Sequence, residues 1–471
     1  MLLCVLIAAA TPQAAPTPSA SERTNFVIVY VDDVGYGDLA CYGNPVVRTP
    51  HLDRFAAEGL RLTSCYSGAP RCSTSRASLL TGRASYRTGV YDVINEGRSG
   101  IDLRHEELTI AELLKDAGYA TAHFGKWHLT RDKQGQPALE HGFDHSTFEN
   151  LGLDLAERFR EWLEGREDEK APFFAYIALT ECHEPVDLRS PKEFQELYKG
   201  TEEAARKIRY PQRRPRAKWK NRNVYYGCIS EMDATFGKIL EALEAVGARG
   251  ETLVYFSSDN GPARLNENSW GSSGPYRGGK NNLFEAGIRV PGLFQWPGHV
   301  QPGAVSDEPV HAFDLLPTLA AIVGAELPAE HAIDGTNLVP LLEGAGLQRE
   351  EPLFWARWSL KVGPHCAIRV GEWKLLGTYE PLRADRTVME HLRDLEFVDF
   401  ELFNVTEDPN EREDLSQSKP DVFERMKETL ITKHREVVAG SPAADLESLR
   451  FMAESLEREL PRSRPPKKTE D

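Results

Sequence analysis

The stretch FVIVYVDDVGYGD, from Phe26 to Asp38, decides the fold of this 471-residue chain. It opens with an apolar run, which is typical of a β-strand buried on both faces of a sheet. Similar, mostly apolar runs follow at YATAHF (119–124), FFAYIAL (173–179) and TLVYFSS (252–258), and helical segments such as 108–118 and 228–247 separate them. Buried strands that alternate with helices predict an α/β fold with a large mixed, mostly parallel sheet sandwiched by helices.

The sequence pattern changes at about residue 351. Segments 366–379 and 400–416 resemble short strands with a turn, and residues 421–438 resemble a helix. We therefore expect a smaller C-terminal α+β subdomain, built from a short antiparallel sheet and a helix. The predicted organisation is a catalytic domain over 24–350, this subdomain over 351–460 and a disordered tail over 461–471.

The first 23 residues are typical of a signal peptide followed by a linker. A short apolar run from Leu2 to Ala10 precedes a segment rich in Ala, Pro and Ser, although no Lys or Arg comes before it. The alternative is a disordered apolar tail. The run is too short to span a bilayer, so we expect an exported protein, periplasmic or secreted, without stable membrane insertion.

The charge and cysteine content exclude some classes of protein. A net charge of −16 argues against a nucleic-acid-binding protein, which usually presents a basic face. The seven cysteines are scattered and form no CxxC pair, so neither a zinc site nor a dense disulfide framework is indicated. One or two disulfide bridges remain compatible with export, and the oligomeric state is left open.

Polar residues follow each predicted strand. In open α/β sheets, ligands bind outside the carboxyl ends of the strands, so these residues are expected along one edge of the sheet. Any single case is also compatible with an ordinary turn, but four strands share the pattern. The residues concerned are Asp32 and Asp33, Lys126 and His128, His183, and Asp259 and Asn260.

The three aspartates and the asparagine in this set all offer oxygen ligands. Adjacent carboxylates such as Asp32 and Asp33 repel each other unless a cation lies between them, and Asp259 and Asn260 extend the set. Such a set suits Ca²⁺ or Mg²⁺ better than zinc. For the first pair alone, a capping or turn role is an equal alternative.

The segment RCSTSRASLLTGR (71–83) predicts an anion site. We expect a helix to start here, with Ser73, Thr74 or Ser75 as the N-cap, because a helix N-terminus beside Arg76 favours an anion. Cys72 lies at that start and is compatible either with a low-pKa nucleophile or with an inert buried cysteine.

Basic side chains from other segments complete the predicted site. On an extended segment Lys126 and His128 would face the same side, where they would supply a fixed positive charge and a proton-exchanging group. Lys280 supplies a second fixed positive charge, and His183 supplies a second group that can exchange protons. Each of them, taken alone, is more often structural or solvated.

Long segments of the chain, from about residue 25 to residue 434, resemble the type I sulfatases of the alkaline-phosphatase-like superfamily. The motifs are long, numerous and in the family's order, which makes chance a poor explanation. They are VDDVGYGDLACYGN (31–44), TPHLDRFAAEGLRLTSCYS (49–67), CSTSRASLLTGR (72–83), GYATAHFGKWH (118–128), SSDNGP (257–262), RGGKNNLFEAGIRVPGLFQWPG (277–298), HAFDLLPTLAAIVG (311–324) and DGTNLVPLL (334–342).

The resemblance implies a specific nucleophile. In that family the motif cysteine, here Cys72, is oxidised by a formylglycine-generating enzyme to Cα-formylglycine, whose hydrate attacks sulfur and displaces the alcohol. The second hydroxyl of the hydrate then loses its proton, which expels sulfate and restores the aldehyde. The family usually has Pro or Ala two residues after this cysteine, whereas this chain has Thr74.

The resemblance also implies roles for the other candidates. Ca²⁺ would be held by Asp32, Asp33, the modified Cys72, Asp259 and Asn260, and would polarise the sulfate. Positive charge on the sulfate site would come from Arg76, Lys126 and Lys280, while His128 would assist sulfate expulsion and His183 would protonate the leaving alcohol.

The implied activity is hydrolysis of sulfate esters, with a sulfated carbohydrate or an aryl sulfate as substrate. One alternative is a phosphoester or phosphonate hydrolase of the same superfamily, although many such members use Ser or Thr and two zinc ions. Another is a non-catalytic protein that binds sulfated glycans, if Cys72 stays a thiol.

The stretch from Arg206 to Asn223 holds nine Lys or Arg residues and Trp219. It predicts a loop that recognises sulfated polysaccharide, with a solvated surface loop as an equal alternative.

Overall fold

A computed structural model describes residues 24–94, 102–130, 136–148, 152–166, 171–183, 190–201, 222–263, 270–357, 363–381 and 395–441. Its strands are β1 (Asn25–Val31), β2 (Leu60–Leu62), β3 (Cys65–Tyr66), β4 (Ala120–Gly125), β5 (His145–Thr147), β6 (Phe173–Leu179), β7 (Thr252–Ser258), β8 (Gly292–Gln295), β9 (Ala304–Ser306), β10 (Val310–His311), β11 (Leu353–Ala356), β12 (Cys366–Val370), β13 (Trp373–Tyr379) and β14 (Phe397–Asn404). Its helices are α1 (Pro50–Ala57), α2 (Cys72–Thr81), α3 (Ile110–Asp116), α4 (Gly152–Glu164), α5 (Lys192–Glu196), α6 (Arg222–Ala245), α7 (Glu285–Ile288), α8 (Leu315–Val323), α9 (Val339–Leu342) and α10 (Pro420–Ala439).

Eight strands form the central sheet, in the order β5-β4-β6-β1-β7-β8-β2-β9. The first five of these are mutually parallel. β8 runs antiparallel to both β7 and β2, and β9 is parallel to β2. The predicted mixed, mostly parallel sheet is therefore confirmed.

Helices cover both faces of this sheet, which is why its central strands are mostly apolar. Side chains of β1 alternate between two separate cores, since successive residues of a strand point to opposite faces. Phe26, Ile28 and Tyr30 pack with residues of α2, α3 and α8, whereas Val27, Val29 and Val31 pack with residues of α1, α4 and α6.

The C-terminal part is a four-stranded antiparallel sheet in the order β11-β12-β13-β14, with α10 packed against it. This matches the expected antiparallel sheet and helix. One apolar cluster joins it to the larger part, where Trp355 and Phe403 pack with Tyr66 and Phe284. The domain boundaries at 350 and 460 remain predictions.

A fully buried ion cluster lies at the same junction. Lys374 Nζ on β13 lies 2.9 Å from Glu285 Oε1 on α7 and 2.8 Å from Glu411 Oε1. The backbone N–H of Glu285 also donates to Glu411 Oε2, at 2.7 Å. The C-terminal sheet is therefore bonded to the short helix that follows Lys280.

Several predicted segments lie outside the described residues. They are the signal segment 1–23, the tail 461–471 and most of the basic stretch 206–223, of which Arg222 and Asn223 begin α6. The six described cysteines are free. None of the helices in the described part of the chain is long and apolar enough to cross a membrane.

Candidate active site

The carboxyl ends of four neighbouring strands bring the predicted residues together. Backbone hydrogen bonds between neighbouring strands align these residues along the sheet edge. The N–H of Asp32 donates to Leu179 O at 3.0 Å, that of Asp259 to Val31 O at 2.9 Å and that of Lys126 to Ala178 O at 3.1 Å. Because the strands are parallel and in register, polar residues that follow them in sequence become neighbours in space.

Three carboxylates form a compact acidic group here. Asp32, Asp33 and Asp259 are buried, and each offers an oxygen within 4.8 Å of the others. Asp33 reaches this position with φ at 59°, a left-handed conformation that carries strain in a residue other than glycine. Burial, reinforced by the neighbouring charge of Asp32, raises the pKa of Asp259 well above its ordinary value.

The buried amide of Asn260 completes the oxygen set. Its Nδ2 donates to Asp33 Oδ1 at 2.7 Å and to Gly261 O at 2.9 Å. Its Oδ1 is buried and has no hydrogen-bond partner among the described residues. A buried carbonyl oxygen without a donor, beside three carboxylates, fits a hard divalent cation.

Arg76 is fully buried and bridges two of these carboxylates. Its Nη2 lies 3.0 Å from Asp32 Oδ1 and 3.0 Å from Asp259 Oδ2. Its Nη1 donates to Lys126 O at 3.2 Å and to the Tyr176 hydroxyl at 3.0 Å. The guanidinium is thus held by four partners, which fixes its position beside the acidic group.

Two lysines lie on the other sides of the acidic group. Lys126 Nζ is 3.0 Å and 2.8 Å from the two oxygens of Asp32, and Lys280 Nζ is 2.5 Å from Asp33 Oδ1. Although burial raises the pKa of Asp32, the charges of Lys126 and Arg76 outweigh it and hold that pKa well below its usual range.

Cys72 is the first residue of α2 and is only 2% exposed. Burial by itself raises the pKa of its thiol. Lys126, Lys280 and His128 more than offset this, and together they hold the pKa well below its ordinary value. The surroundings therefore stabilise negative charge on the side chain at position 72.

The two candidate histidines occupy different places. His128 lies beside Cys72, and its Nε2 lies 2.9 Å from Ile94 O, which fixes the ring. His183 follows β6, is half-buried, and its charge contributes to the low pKa of Asp32. The structure thus brings all the predicted site residues to one edge of the sheet.

One local prediction, the N-cap of α2, is wrong. The N-cap of α2 is Arg71, without a side-chain capping bond, and Ser73, Thr74 and Ser75 lie inside the first turn. Their hydroxyls bond elsewhere; Thr74 Oγ1, for example, donates to Arg71 O at 2.9 Å. After β4, His128 has φ at 58°, so the backbone is left-handed at this residue, and Lys126 and His128 both lie near Cys72.

Sequence reasoning missed two groups that hold the site. The Tyr176 hydroxyl, in the middle of β6, accepts a hydrogen bond from Arg76, whereas the sequence pattern there indicates only an ordinary core residue. Asp38 accepts hydrogen bonds from Gly35 N, Ser272 N and the Tyr225 hydroxyl, each at 2.7 Å. Its place in the GYGD motif was the available signal.

Comparison with known proteins identifies the family. The model of the family described as sulfatase matches residues 24–325, and that of the C-terminal region of N-sulphoglucosamine sulphohydrolase matches residues 278–436. The chain belongs to the sulfatase family. This sulfatase is 35% identical to human arylsulfatase A over 76% of its own length and 75% of the relative's. It is 34% identical to human N-acetylgalactosamine-6-sulfatase over 72% and 69% of the two chains.

Solved structures agree on the fold. The crystal structure of Ps i-CgsB in complex with k-i-k-neocarrahexaose aligns with a TM-score of 0.72 at 24% identity, covering 92% of this chain and 98% of the other. Phosphonate monoester hydrolase of Agrobacterium radiobacter aligns with a TM-score of 0.63 at 21% identity, covering 88% and 96%. The family and its relatives make this protein a sulfuric ester hydrolase.

Proposed function

We propose that this sulfatase hydrolyses sulfate esters of carbohydrates through a formylglycine formed from Cys72. The observation that carries the proposal is the position of Cys72. It is the first residue of a buried helix, its pKa is lowered by Lys126, Lys280 and His128, and it belongs to a site built on a buried acidic group. These surroundings suit a side chain that carries negative charge during the reaction.

The metal we assign to the site is Ca²⁺. Asp32, Asp33, Asp259 and Asn260, with the modified side chain at 72, would hold it, and the buried, unpartnered Asn260 Oδ1 supports this assignment. When bound, a divalent cation supplies positive charge that polarises the sulfate ester and favours ionisation of a nearby hydroxyl.

The formylglycine hydrate supplies a nucleophile that can expel sulfate again without a second attacking group. The chain's own residues prepare for this chemistry. Lys126 and Lys280 carry fixed charge toward position 72, and Arg76 is fixed by Tyr176 and two carboxylates. They bind the sulfate oxygens and offset the charge that develops on them.

Two imidazoles serve two separate proton transfers. His128, held through Nε2 by Ile94 O, lies beside position 72, where it accepts the proton that leaves during sulfate expulsion. His183 stands on the loop after β6 and donates a proton to the leaving alcohol. The two steps need opposite protonation states, so two different histidines suit them.

Carbohydrate sulfates are the substrate class we favour. N-acetylgalactosamine-6-sulfatase is among the relatives, and one solved neighbour was obtained with D-glucosamine-2-N,6-O-disulfate. We further propose that the protein is exported and that a formylglycine-generating enzyme modifies it during maturation. The apolar run at 2–10 and the motif at 72–83 support these two proposals.

The first test is the mass of the tryptic peptide 72–76, from protein made in its native host. Conversion of the thiol to the aldehyde lowers the mass by about 18 Da. Rates on 4-nitrophenyl sulfate and 4-nitrophenyl phosphate then separate a sulfatase from a phosphoester hydrolase. An unmodified thiol in protein that binds sulfated glycan without releasing sulfate would contradict the proposal.

A further inference from the structure

Arg71, the residue before Cys72, does not cap the helix that it precedes. Ser, Thr, Asp or Asn usually occupies such a position because the side chain bonds the first turn, and Arg71 makes no such bond. Its Nε instead donates to Asn281 Oδ1 at 2.7 Å, and its Nη1 contacts Asp92 Oδ1. The guanidinium therefore ties together two side chains from distant parts of the chain, next to the nucleophile position.

Asn281 directly follows Lys280 and is held from three directions. Its backbone N–H donates to Pro70 O at 2.9 Å, Arg357 Nη1 donates to its carbonyl, and Arg71 bonds its Oδ1. Its φ of 72° is left-handed, which asparagine tolerates better than most residues. Among the described residues none accepts a hydrogen bond from its Nδ2, so a fixed amide donor is left for a ligand.

Asp92 presents the complementary group. Its Oδ1 accepts from Val93 N at 2.6 Å and from Arg71, and its side chain is 16% exposed. No donor to Oδ2 occurs within the described part of the chain. A carboxylate oxygen that accepts and an amide nitrogen that donates, both fixed by one guanidinium, are the polar groups that a polyhydroxylated ligand satisfies.

We infer that Asp92 and Asn281, positioned by Arg71, bind hydroxyl groups of the sugar that leaves with the ester oxygen. Asp92 Oδ2 accepts a hydrogen bond from one hydroxyl, and Asn281 Nδ2 donates one to another oxygen of the same ring. The inference rests on the proposed function and makes these residues determinants of leaving-group specificity. An aryl leaving group without hydroxyls uses neither contact.

The test compares two substrate types on each variant. Sugar substrates are N-acetylgalactosamine 6-sulfate, glucosamine 2-N,6-O-disulfate and a sulfated carrageenan hexasaccharide, and the reference is 4-nitrophenyl sulfate. The variants are Asp92→Ala and Asn281→Gly, the latter because glycine accepts a φ of 72° without strain. We measure the ratio of kcat/KM for the best sugar to that for the reference. This ratio does not depend on the fraction of Cys72 that is converted.

Each variant is expected to lower that ratio about 10- to 100-fold, the range for loss of a hydrogen bond to a charged or buried group. Arg71→Lys keeps the charge but not the fork that holds both partners, so it should raise KM for the sugar more than it lowers kcat. The control is Arg54→Ala, which breaks an exposed Arg–Glu pair on α1 and should change the ratio less than about twofold.

An equal loss on both substrate types would show that Asp92 and Asn281 only support the fold around Cys72, and would overturn the inference. A wild-type enzyme that cleaves 4-nitrophenyl sulfate but none of the sugars would overturn it too, while leaving the sulfatase activity intact. A wild-type protein that carries the formylglycine and cleaves no sulfate ester would instead contradict the proposed function, and the inference with it.

Discussion

Arg76 Nη2 lies 3.0 Å from Asp32 Oδ1, and neither side chain is exposed to solvent. The same nitrogen lies 3.0 Å from Asp259 Oδ2. One guanidinium thus compensates two carboxylates of the acidic group from the side of α2, which leaves the remaining carboxylate and amide oxygens for a cation. The position of α2, and of Cys72 at its start, is consequently tied to the metal site.

Replacing Arg76 by methionine should destabilise the metal-free protein by about 3–5 kcal/mol, because, among the described residues, Asp259 loses its ion-pair partner and Asp32 keeps only Lys126. Urea unfolding in the presence of a chelator measures the free energy of unfolding. The matched control is Arg160→Met, which removes a 39%-exposed arginine from α4 and should change the free energy of unfolding far less. Similar losses for the two variants would contradict the assigned role of Arg76.

Calcium should stabilise the protein against unfolding. Three buried carboxylates lie within 4.8 Å of one another, so we expect them to bind Ca²⁺ in the folded state only. At 100 times the dissociation constant, such binding adds about 2.7 kcal/mol to the free energy of unfolding. Thermal unfolding with and without a chelator measures this. Asn260→Leu should weaken the calcium effect, whereas Asn404→Ala, in the C-terminal sheet, should leave it unchanged. A calcium effect equal in wild type and Asn260→Leu would exclude Asn260 as a ligand.

Cys72→Ala should lower kcat on 4-nitrophenyl sulfate by at least about 1,000-fold, because the nucleophile is lost while the binding groups remain. The fold should persist, since alanine is a good helix former at the start of α2. Cys41→Ala, in the short 3-10 helix Ala40–Tyr42 between β1 and α1, is the control and should keep its rate within about twofold. Substantial activity in Cys72→Ala would place the nucleophile elsewhere.

His141 should make the protein sensitive to acid. It is buried, neither ring nitrogen has a partner among the described residues, and burial, reinforced by the charge of His105, lowers its pKa from 6.5 to about 4. Between these values the unfolded chain binds a proton that the folded protein does not. Stability is therefore complete above about pH 6.5 and falls as the pH drops, by about 2 kcal/mol between pH 7 and pH 5.

Urea unfolding at the two pH values checks this, and His141→Phe should reduce the pH dependence by that amount. The other buried histidines contribute equally to both proteins, so they cancel in the difference. His299→Phe replaces a 41%-exposed histidine and should leave the dependence as it is in wild type. An unchanged slope in His141→Phe would show that His141 takes up its proton equally in both states.

Lys374 should be essential to the junction between the two sheets. Lys374→Met leaves Glu285 and Glu411 buried without their shared cation, which should cost about 3–5 kcal/mol. Lys427→Met, on a partly exposed part of α10, is the control with a cost below about 1 kcal/mol. Urea unfolding measures the free energy of unfolding of both variants. Equal losses in the two would mean that the buried ion cluster contributes little to stability.

The strands, and the polar site residues that follow them, could be predicted from the sequence because apolar runs and the polar residues at their ends are local signals. Segments 173–179 and 252–258 form strands with the predicted bounds, whereas β1 begins one residue earlier than predicted and α10 is one residue longer at each end. The helix start at Cys72 was not readable, since three neighbouring hydroxyl residues are all plausible caps. Their hydroxyls bond other segments instead; Ser75 Oγ, for example, lies 2.8 Å from the Tyr30 hydroxyl.

By itself the sequence determined the α/β class, the family and the residue types at the site, because these depend on local pattern and on motif order. The tertiary structure alone decided which atoms meet. Parallel register brings Asp32 and Asp259 to one level at the sheet edge. The Tyr176 hydroxyl on β6 bonds Arg76 on α2, which packs on the same face of the sheet, and Arg71 contacts both Asp92 and Asn281. Such contacts join segments far apart in the chain, so only the packing of helices on the sheet could fix them.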